Sequence, residues 1–346
     1  MESMPLLTER ITHELRNQVL QMRCDTMVKI PSERELTEIF NASRPSIRLA
    51  IKNLISEGLL IQEQGKGTYV TPKIKIHTLD IICSPDIKRN DPFYNSFLVE
   101  ITKFAAKQSM NLFIVDYNQI MNTYRESPLV IVGSIDDSVL ELLKKVYKTI
   151  IAFQSYPDHN EFTQIYFDHY KIGYMAANIL AKFNHKNVIH FAGPEKYVSA
   201  LNRKVGFEDA MKKLHNNYRI ITEKMNWAGG YKAGDVLINE YTDKNRPTAV
   251  FVANDWMGIG LIQKLKENGL RIPEDISIVG CDDIPLASEF SPTLATFSLD
   301  MKVLINELFA ALNVMHSSDY YMGKKILLSP TFIPRDSLKA NGKKRS

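Results

Sequence analysis

The chain has 346 residues, of which 45% are apolar and 24% are charged, which is the composition of a folded protein and excludes a disordered one. This length favours two or three domains over a single domain. The net charge of +4 is too small to indicate a nucleic-acid partner by itself, and residues 1–75 hold eleven lysines and arginines against nine aspartates and glutamates. A basic surface must therefore be sought in the positions of cations on individual elements.

Neither a membrane span nor a secretion signal is expected. No apolar run reaches the roughly 18 residues that a span requires, and the charged N-terminus lacks the apolar core of a signal peptide. Cys24, Cys83 and Cys281 lie far apart without a Cys-x-x-Cys pair, which indicates reduced thiols rather than disulfides or zinc ligands. We expect a cytoplasmic, nucleoid-associated protein with no membrane partner.

The first unit begins with two predicted helices. Residues 8–22 carry apolar side chains at helical spacing. Ser32 and Glu35 have the spacing of a capping box, which predicts that a second helix opens there. The apolar positions expected to face the core are Ile11, Leu15, Val19, Leu36, Ile39 and Phe40.

A third helix follows the Asn41-Ala42 turn, with Ser43 as its N-cap. Arg44, Arg48 and Lys52 recur every four residues, so three cations lie on one side. A helix pair whose second member carries cations is typical of a helix-turn-helix, in which arginine can fork onto guanine in the major groove. The alternative is an ordinary solvated face. The opposite, buried stripe is predicted to be Ile47, Ala50, Ile51, Leu54 and Ile55.

Two short strands are predicted after this helix, at residues 59–64 and 68–70, around the tip Gly65-Lys66-Gly67. The glycines allow the backbone to approach DNA closely, and Lys66 can enter or flank the minor groove. Ser46 and Lys52 suit phosphate oxygens, which set the register of a DNA complex but not its sequence.

Residues 30–71 resemble the GntR-family winged helix in four ordered motifs: Pro-Ser-Glu-Arg-Glu-Leu, Ser-Arg-x-x-Ile-Arg, Leu-x-x-x-Gly-Leu and Gln-Gly-x-Gly-Thr-Tyr-Val. The resemblance implies base or phosphate contacts by Arg34, Arg44, Arg48 and Gly65. It assigns assisting roles to Ser43, Ser46, Gln64, Lys66 and Thr68. Pro45 departs from the family, which has Thr or Val more often, so a backbone N–H contact is lost at that position.

From residue 78 onward, strands alternate with helices. This order predicts an α/β fold with a doubly wound parallel sheet, and its length predicts two similar lobes with a ligand cleft between them. The expected domains are a winged helix at 1–72, a linker at 73–77, a sensor at 78–336 and a tail at 337–346. Strands are predicted at 78–83, 111–116, 129–133, 149–153, 163–167, 187–192, 248–253 and 276–280, and helices at 170–183 and 255–268 among others.

Motifs for catalysis are absent from the sensor sequence. It contains no Gly-x-Gly-x-x-Gly after a strand, no phosphate-binding Gly-x-x-x-x-Gly-Lys-[Ser/Thr], no Gly-x-Ser-x-Gly and no His-Glu-x-x-His. His185 and His190 are more readily explained as structural than as ligands. We therefore expect no catalytic residue, no cofactor and no metal.

Polar and aromatic residues at strand ends suit a sugar instead, because planar side chains bind hydroxyl groups and an aromatic or thioether face covers the ring. Each also has an ordinary structural interpretation, such as the N-cap of a helix for Asp168 or core packing for Trp227. The candidates are Phe93, Tyr94, Ser134, Asp168, Arg203, Met225 or Trp227, Asn254 and Asp282.

Five segments resemble the effector-binding core of the LacI/GalR family, which has the periplasmic binding protein fold: residues 91–94, 166–174, 202–207, 246–255 and 272–283. The resemblance implies effector contacts by Phe93, Tyr94, Asp168, Arg203, Asn254 and Asp282. An ungapped match places Met225 at the stacking position, whereas Trp227 is chemically better suited. One departure is the short segment 118–128, where the family usually has a whole helix; it puts the dimer packing and Ser134 in question.

A GntR reader joined to a LacI-type sensor is the layout of arabinose-repressor-like proteins. It implies a homodimeric repressor that a monosaccharide effector releases from double-stranded operator DNA. Two alternatives remain open at this point. One is a regulator that senses a purine or nucleoside, and the other is a sugar-processing enzyme tethered to DNA.

Overall fold

The computed structural model describes residues 7–24, 26–56, 59–63, 65–71, 76–120, 124–241, 246–315 and 323–342. Within these residues it comprises a small N-terminal unit and two α/β lobes. Gly58, Gln64, Pro72 and residues 73–75 of the predicted linker lie outside the described part. No described helix is both long and apolar enough to cross a bilayer.

The N-terminal unit consists of three helices and a three-stranded antiparallel sheet in the order β1-β3-β2. Its elements are α1 (Leu7–Met22), β1 (Val28–Lys29), α2 (Glu33–Ile39), α3 (Arg44–Ser56), β2 (Leu60–Glu63) and β3 (Gly67–Val70). The sequence predicted every element except β1. That strand is two residues long, too short to show a periodicity, and exists because it pairs with β3.

The core of this unit is largely formed where predicted, although Ile55 of the expected stripe is only partly buried. The capping box of Ser32 and Glu35 opens α2, and Leu36 is buried. Ile39, which we expected in the core, is 59% exposed. Phe40 caps the end of α2 and packs against the core instead. The buried residues on α1 and α3 are Ile11, Leu15, Val19, Ile47, Ala50, Ile51 and Leu54.

The first lobe is built on a parallel sheet in the order β14-β8-β7-β6-β4-β5. Strand β14 (Lys325–Leu328) comes last in the chain and joins this sheet after the chain has passed through the second lobe. The other elements are β4 (Thr78–Cys83), α4 (Pro92–Lys107), β5 (Asn111–Val115), β6 (Leu129–Val132), α5 (Asp137–Val146), β7 (Ile150–Ala152) and β8 (Thr163–Phe167).

The second lobe contains a parallel sheet in the order β10-β9-β11-β12. Its elements are α6 (His169–Lys182), β9 (Asn187–Ala192), α7 (Val198–Leu214), β10 (Asn217–Thr222), α8 (Trp227–Asn239), β11 (Ala249–Val252), α9 (Asp255–Glu267), β12 (Ser277–Val279) and α10 (Pro285–Glu289). All eight strands predicted from residue 78 onward are therefore present, whereas β10 in this lobe and β14 in the first lobe were not predicted.

The chain passes between the lobes three times. It does so after β8, between β13 (Thr296–Ser298) and α11 (Met301–Met315), and between β14 and β15 (Thr331–Ile333), which pairs with β13. The carboxyl ends of strands in both lobes thus face one cleft. Residues 337–341, expected to belong to a tail, hydrogen-bond to the second lobe, so the packed domain extends beyond its predicted end at 336.

Residues 124–128, at the end of the short segment 118–128, are joined to the first lobe by Arg125. Arg125 forms an ion pair with the buried Asp80, which also accepts a hydrogen bond from Tyr147, at 2.7 and 2.8 Å. The guanidinium of Arg125 also lies 4.4 Å from the centre of the Phe113 ring. At this edge of the sheet, Phe113 and Ile114 of β5 remain exposed.

Candidate functional site

The first candidate site is the solvent side of α3. Arg44, Arg48 and Lys52 are exposed, opposite the buried stripe, as the spacing predicted. Ser43 precedes the helix; its hydroxyl lies 2.9 Å from that of Ser46 and accepts a hydrogen bond from the Ser46 backbone N–H. This arrangement presents three cations on one helix face, which suits a groove lined by phosphates.

Two of the predicted arginines form surface ion pairs within the unit. Arg48 donates from Nε to Glu33 of α2 at 2.8 Å. Arg34 lies 3.7 Å from Glu38, one turn further along α2. Such exposed pairs contribute little stability, so both arginines can exchange their partner for a phosphate or base at small cost.

The hairpin between β2 and β3 has the backbone geometry that its glycines permit. Gly65 and Gly67 have φ values of +74° and +128°, which residues other than glycine rarely adopt. A Cβ atom on Gly67 would also collide with the Lys29 side chain, whereas Gly65 faces open space. Lys66 is exposed at the tip and Thr68 is partly buried. The hairpin therefore presents backbone and a cation together.

The second candidate site is a cavity of about 120 Å³ between the two lobes. One buried water needs roughly 10–15 Å³, so the cavity has room for a small organic molecule. Six predicted effector residues line it: Phe93, Tyr94, Arg203, Met225, Asn254 and Asp282. They come from α4, α7 and the ends of strands in the second lobe, which the sequence separates by up to 189 positions.

Arg203 is the central charge of this cavity. Its side chain on α7 is only 3% exposed, and it forms no ion pair with a carboxylate of the described residues. One terminal nitrogen lies 3.0 Å from His169 Nδ1 and 3.7 Å from the Cys281 sulfur, and the other lies 3.7 Å from the Met225 sulfur. Nε has no hydrogen-bond partner. A buried cation with such weak partners favours a ligand that supplies oxygen acceptors.

Two side chains in contact with Arg203, His169 and Cys281, are uncharged near pH 7. Burial, reinforced by the positive charge of Arg203, lowers the pKa of His169 well below its usual value. His169 is therefore uncharged near pH 7 and can accept a hydrogen bond at Nδ1. Burial also raises the pKa of the Cys281 thiol, which stays protonated.

Asp282 is the acidic counterpart of Arg203. It follows β12 with a φ of +117°, and its backbone N–H donates to the carbonyl of Phe297. Burial raises the pKa of Asp282 to about 7, and the charge of Arg203 only partly offsets that rise. Near neutral pH this carboxyl can thus act either as an acceptor or as a donor toward a hydroxyl group.

An aromatic wall is set by the start of α4. Asp91 accepts hydrogen bonds from the backbone N–H groups of Phe93 and Tyr94, at 3.1 and 3.3 Å, and so caps the helix. The two rings meet edge to face at 5.2 Å. Burial raises the pKa of the Tyr94 hydroxyl, which remains a neutral donor.

Met225 and Asn254 complete the second-lobe side of the cavity. Asn254 caps α9 by accepting from Met257 N–H at 3.0 Å, and it donates to the carbonyl of Met225 at 3.2 Å. Gly193 leaves space for the thioether, because a Cβ atom there would lie 2.4 Å from the Met225 sulfur. The structure therefore places Met225, rather than Trp227, in the cavity.

Three predicted residues lie away from the cavity. Asp168 caps α6, accepting from Lys171 N–H at 2.9 Å. Ser134 accepts a hydrogen bond from Gln154, and Trp227 stacks on Tyr231 at 5.0 Å. Ser134 and Trp227 line a larger outer cleft of about 730 Å³, which shares Tyr94 and Met225 with the cavity. A position at the end of a strand did not by itself show whether a residue lines the inner cavity or the outer cleft.

Sequence reasoning missed several polar lining residues, among them Asp91, Gln154 and His169. His169 directly follows the predicted Asp168, but its contact with Arg203 depends on the packing of α6 against α7, which the sequence does not show. No described group of three or more histidine, cysteine, aspartate or glutamate side chains is arranged to hold a metal ion.

Comparisons with known proteins agree with this architecture. Residues 163–338 match the periplasmic binding protein-like domain, and residues 7–70 match the bacterial regulatory proteins of the gntR family. The chain is 28% identical over 221 residues to the HTH-type transcriptional repressor PurR of Aliivibrio fischeri, covering 60% of this chain and 65% of that protein. It is 31% identical over 173 residues to the ribose operon repressor of Haemophilus influenzae, covering 48% and 50%.

The chain thus spans about half to two thirds of the length of these curated relatives. A crystal structure of a LacI family transcriptional regulator from Enterococcus faecium, with bound ribose, superposes with a TM-score of 0.65 at 22% identity. It covers 77% of this chain and 100% of that one, which shows a shared fold. The chain belongs to the periplasmic binding protein-like family and carries an N-terminal helix-turn-helix domain of the gntR family.

Proposed function

We propose that this protein is a transcriptional regulator that binds operator DNA through α3 and the β2–β3 hairpin and is released by a small sugar. The observation that carries the proposal is the pairing of two surfaces in one chain. One is an exposed cationic helix face of a DNA-binding family, and the other is a cavity around the buried Arg203. The proposed units are the reader at 1–72, the linker at 73–77 and the sensor from 78.

The cavity suits a sugar because it is lined by both polar and apolar side chains. Arg203, Asp282 and Asn254 provide donors and acceptors for hydroxyl groups, while Phe93 and Met225 provide apolar faces. The relative named ribose operon repressor and the similar structure with bound ribose support a pentose as the first candidate. Asp168, Ser134 and Trp227 do not line the cavity and are not part of the proposed sugar contacts.

A homodimer is part of the proposal, because one reader covers one half-site of a pseudo-palindromic operator. The exposed Phe113 and Ile114 on the edge strand β5 provide apolar surface for such an interface. Closure of the lobes around the effector would then change the distance between the two readers.

The test is a thermal-shift screen of the full chain against pentoses, hexoses, nucleosides and nucleobases, since a ligand of the folded state raises the melting temperature. The hit is then added to a complex of the protein with an operator selected from random duplexes, and DNA release is followed by fluorescence anisotropy. A sugar that stabilises the protein and releases DNA supports the proposal. A nucleobase or nucleoside as the only hit identifies the alternative regulator, and turnover of the hit would indicate an enzyme.

A further inference from the structure

The centre of the exposed face of α3 is apolar. Leu49 is 49% exposed, although it belongs to the helix that the proposed function places in the DNA groove. It follows Pro45 by four residues and precedes Lys52 by three, so these three side chains share one surface of the helix. Pro45 is exposed as well. The exposed face of α3 therefore has an apolar strip beside its cations.

The position of Leu49 on the helix points it away from the core. The buried residues Ile47, Ala50 and Leu54 lie on the opposite side of α3. Arg48, next to Leu49, lies toward the edge of the exposed face and reaches back to Glu33 on α2. A short side chain at the centre of a helix face lies nearest to the floor of a groove, whereas longer side chains at its edge reach the walls.

In the major groove of DNA, the one apolar group that a base edge presents is the C5-methyl group of thymine. The residues of a recognition helix that touch base edges lie in its first turns, and Leu49 is the sixth residue of α3. We propose that Leu49, supported by Pro45, contacts a thymine methyl group in each half-site and so determines sequence specificity. The inference rests on the proposed DNA-binding function and adds an apolar contact to it.

The geometry also limits where that thymine lies. Leu49 is one residue from Arg48 and five from Arg44, and a helix rises about 1.5 Å per residue. Successive base pairs are about 3.4 Å apart along the duplex. The thymine therefore lies within about two base pairs of the guanine or phosphate that Arg48 contacts.

The experiment uses the full chain and removes the methyl group rather than the base. An operator is selected from random duplexes, and each thymine is then replaced by deoxyuridine, which pairs identically but lacks the C5-methyl group. Affinities are measured for the wild type and for Leu49→Ala. We expect one position per half-site at which deoxyuridine weakens wild-type binding by about fourfold, the effect of one buried methyl group.

At that position Leu49→Ala should bind thymine and deoxyuridine equally, and it should bind the unmodified operator about as weakly as the wild type binds the deoxyuridine version. Leu20→Ala is the matched control, since Leu20 on α1 is 48% exposed and lies on another helix of the same unit. It should keep the full discrimination of the wild type. Melting temperatures of both variants verify that they fold.

Two results would overturn the inference while leaving DNA binding intact. One is a wild-type protein that tolerates deoxyuridine at every position, and the other is a Leu49→Ala variant that still discriminates thymine from deoxyuridine. If no duplex sequence is enriched by the wild type at all, the proposed function itself fails, and the role of Leu49 fails with it.

Discussion

The exposed face of α3 and the cavity between the lobes both depend on arginine, but in opposite environments. Arg48 is exposed, and its ion pair with Glu33 is in contact with water. Exchanging Glu33 for another partner therefore costs little free energy. Arg203 is buried, and its strongest neighbour is an uncharged histidine. Burying a cation without a paired anion costs several kcal/mol.

This contrast explains how one residue type serves two kinds of ligand. A surface of hydrated cations binds a polyanion through many weak contacts and is sensitive to salt. A single desolvated cation binds one small ligand through a few strong hydrogen bonds and is hardly screened. Variants in the two regions should therefore differ in what they lose.

The largest effect is expected for Arg203→Met. Removal of the charge should weaken effector binding by roughly 10- to 100-fold, the contribution of hydrogen bonds to a charged group. The free energy of unfolding without ligand should stay equal or rise, because a buried cation leaves the cavity. Isothermal titration with the sugar and urea unfolding measure the two quantities.

Lys213→Met is the matched control for Arg203→Met, since Lys213 is an exposed cation on the same helix α7. It should leave both quantities unchanged. A clear loss of stability in Arg203→Met would mean that the guanidinium supports the fold, and the contrast between the two regions would then be incorrect.

Loss of Arg44 should weaken specific operator binding by about 1–3 kcal/mol, the value of one good base contact. Arg48→Ala should act in the same direction. Glu33→Gln should strengthen binding, because Arg48 no longer has a carboxylate partner and a negative charge leaves the DNA-facing side. Anisotropy titrations at fixed salt test the order of these variants. Unchanged affinity in both arginine variants would refute the assignment of α3.

The pH dependence of the cavity should depend on Asp282. Because burial raises its pKa to about 7, Asp282 ionises as the pH rises through that value and becomes a better acceptor. Effector affinity should therefore rise by up to about tenfold between pH 6 and pH 8. Asp282→Asn should remove most of this dependence, as measured by isothermal titration across that range. A pH profile that is identical in wild type and variant would contradict this role.

The raised pKa of Asp282 also affects the free energy of unfolding, which should fall as the pH rises, whereas effector affinity should rise. Without ligand, the folded protein favours protonated Asp282. The stability that this preference provides is fully present below pH 4, near the ordinary pKa of an aspartate, and is lost as the pH rises through about 7. Relative to Asp282→Asn, the wild type should thus lose at most a few kcal/mol between pH 4 and pH 7. Urea unfolding at both pH values measures the difference.

The smallest effect is expected at the mouth of the cleft. Asp86 in the first lobe accepts from Lys196 and Tyr197 in the second, at 2.7 and 3.0 Å, and this exposed contact bridges the two lobes. Asp86→Asn should weaken effector binding by about two- to fivefold at low salt and less at high salt. Glu223→Gln, which breaks the pair with Lys232 inside one lobe, is the control. Equal effects of the two variants would show that the bridge has no role in closure.

Local patterns predicted most of the fold. The eight predicted strands of the sensor and the capping box at Ser32 appear in the structure, because each has a recognisable pattern within a few residues. The strands that were not predicted are β1, β10, β13, β14 and β15, and all but β10 are too short to show an alternation. Ile39 was expected in the core but is exposed, and the adjacent Phe40 packs against the core instead.

The sequence by itself determined which side chains could bind a ligand and where the helices place cations, since helical spacing puts Arg44, Arg48 and Lys52 on one face. Only the tertiary structure decided which candidates meet. Met225 and Asp282 meet because β10 and β12 belong to one parallel sheet and end at the same edge, and the packing of α7 brings Arg203 to them. Asp168 caps a helix while His169, one residue later, reaches Arg203. That difference depends on the packing of α6 against α7 within the second lobe, a contact between residues 34 positions apart that no local pattern encodes.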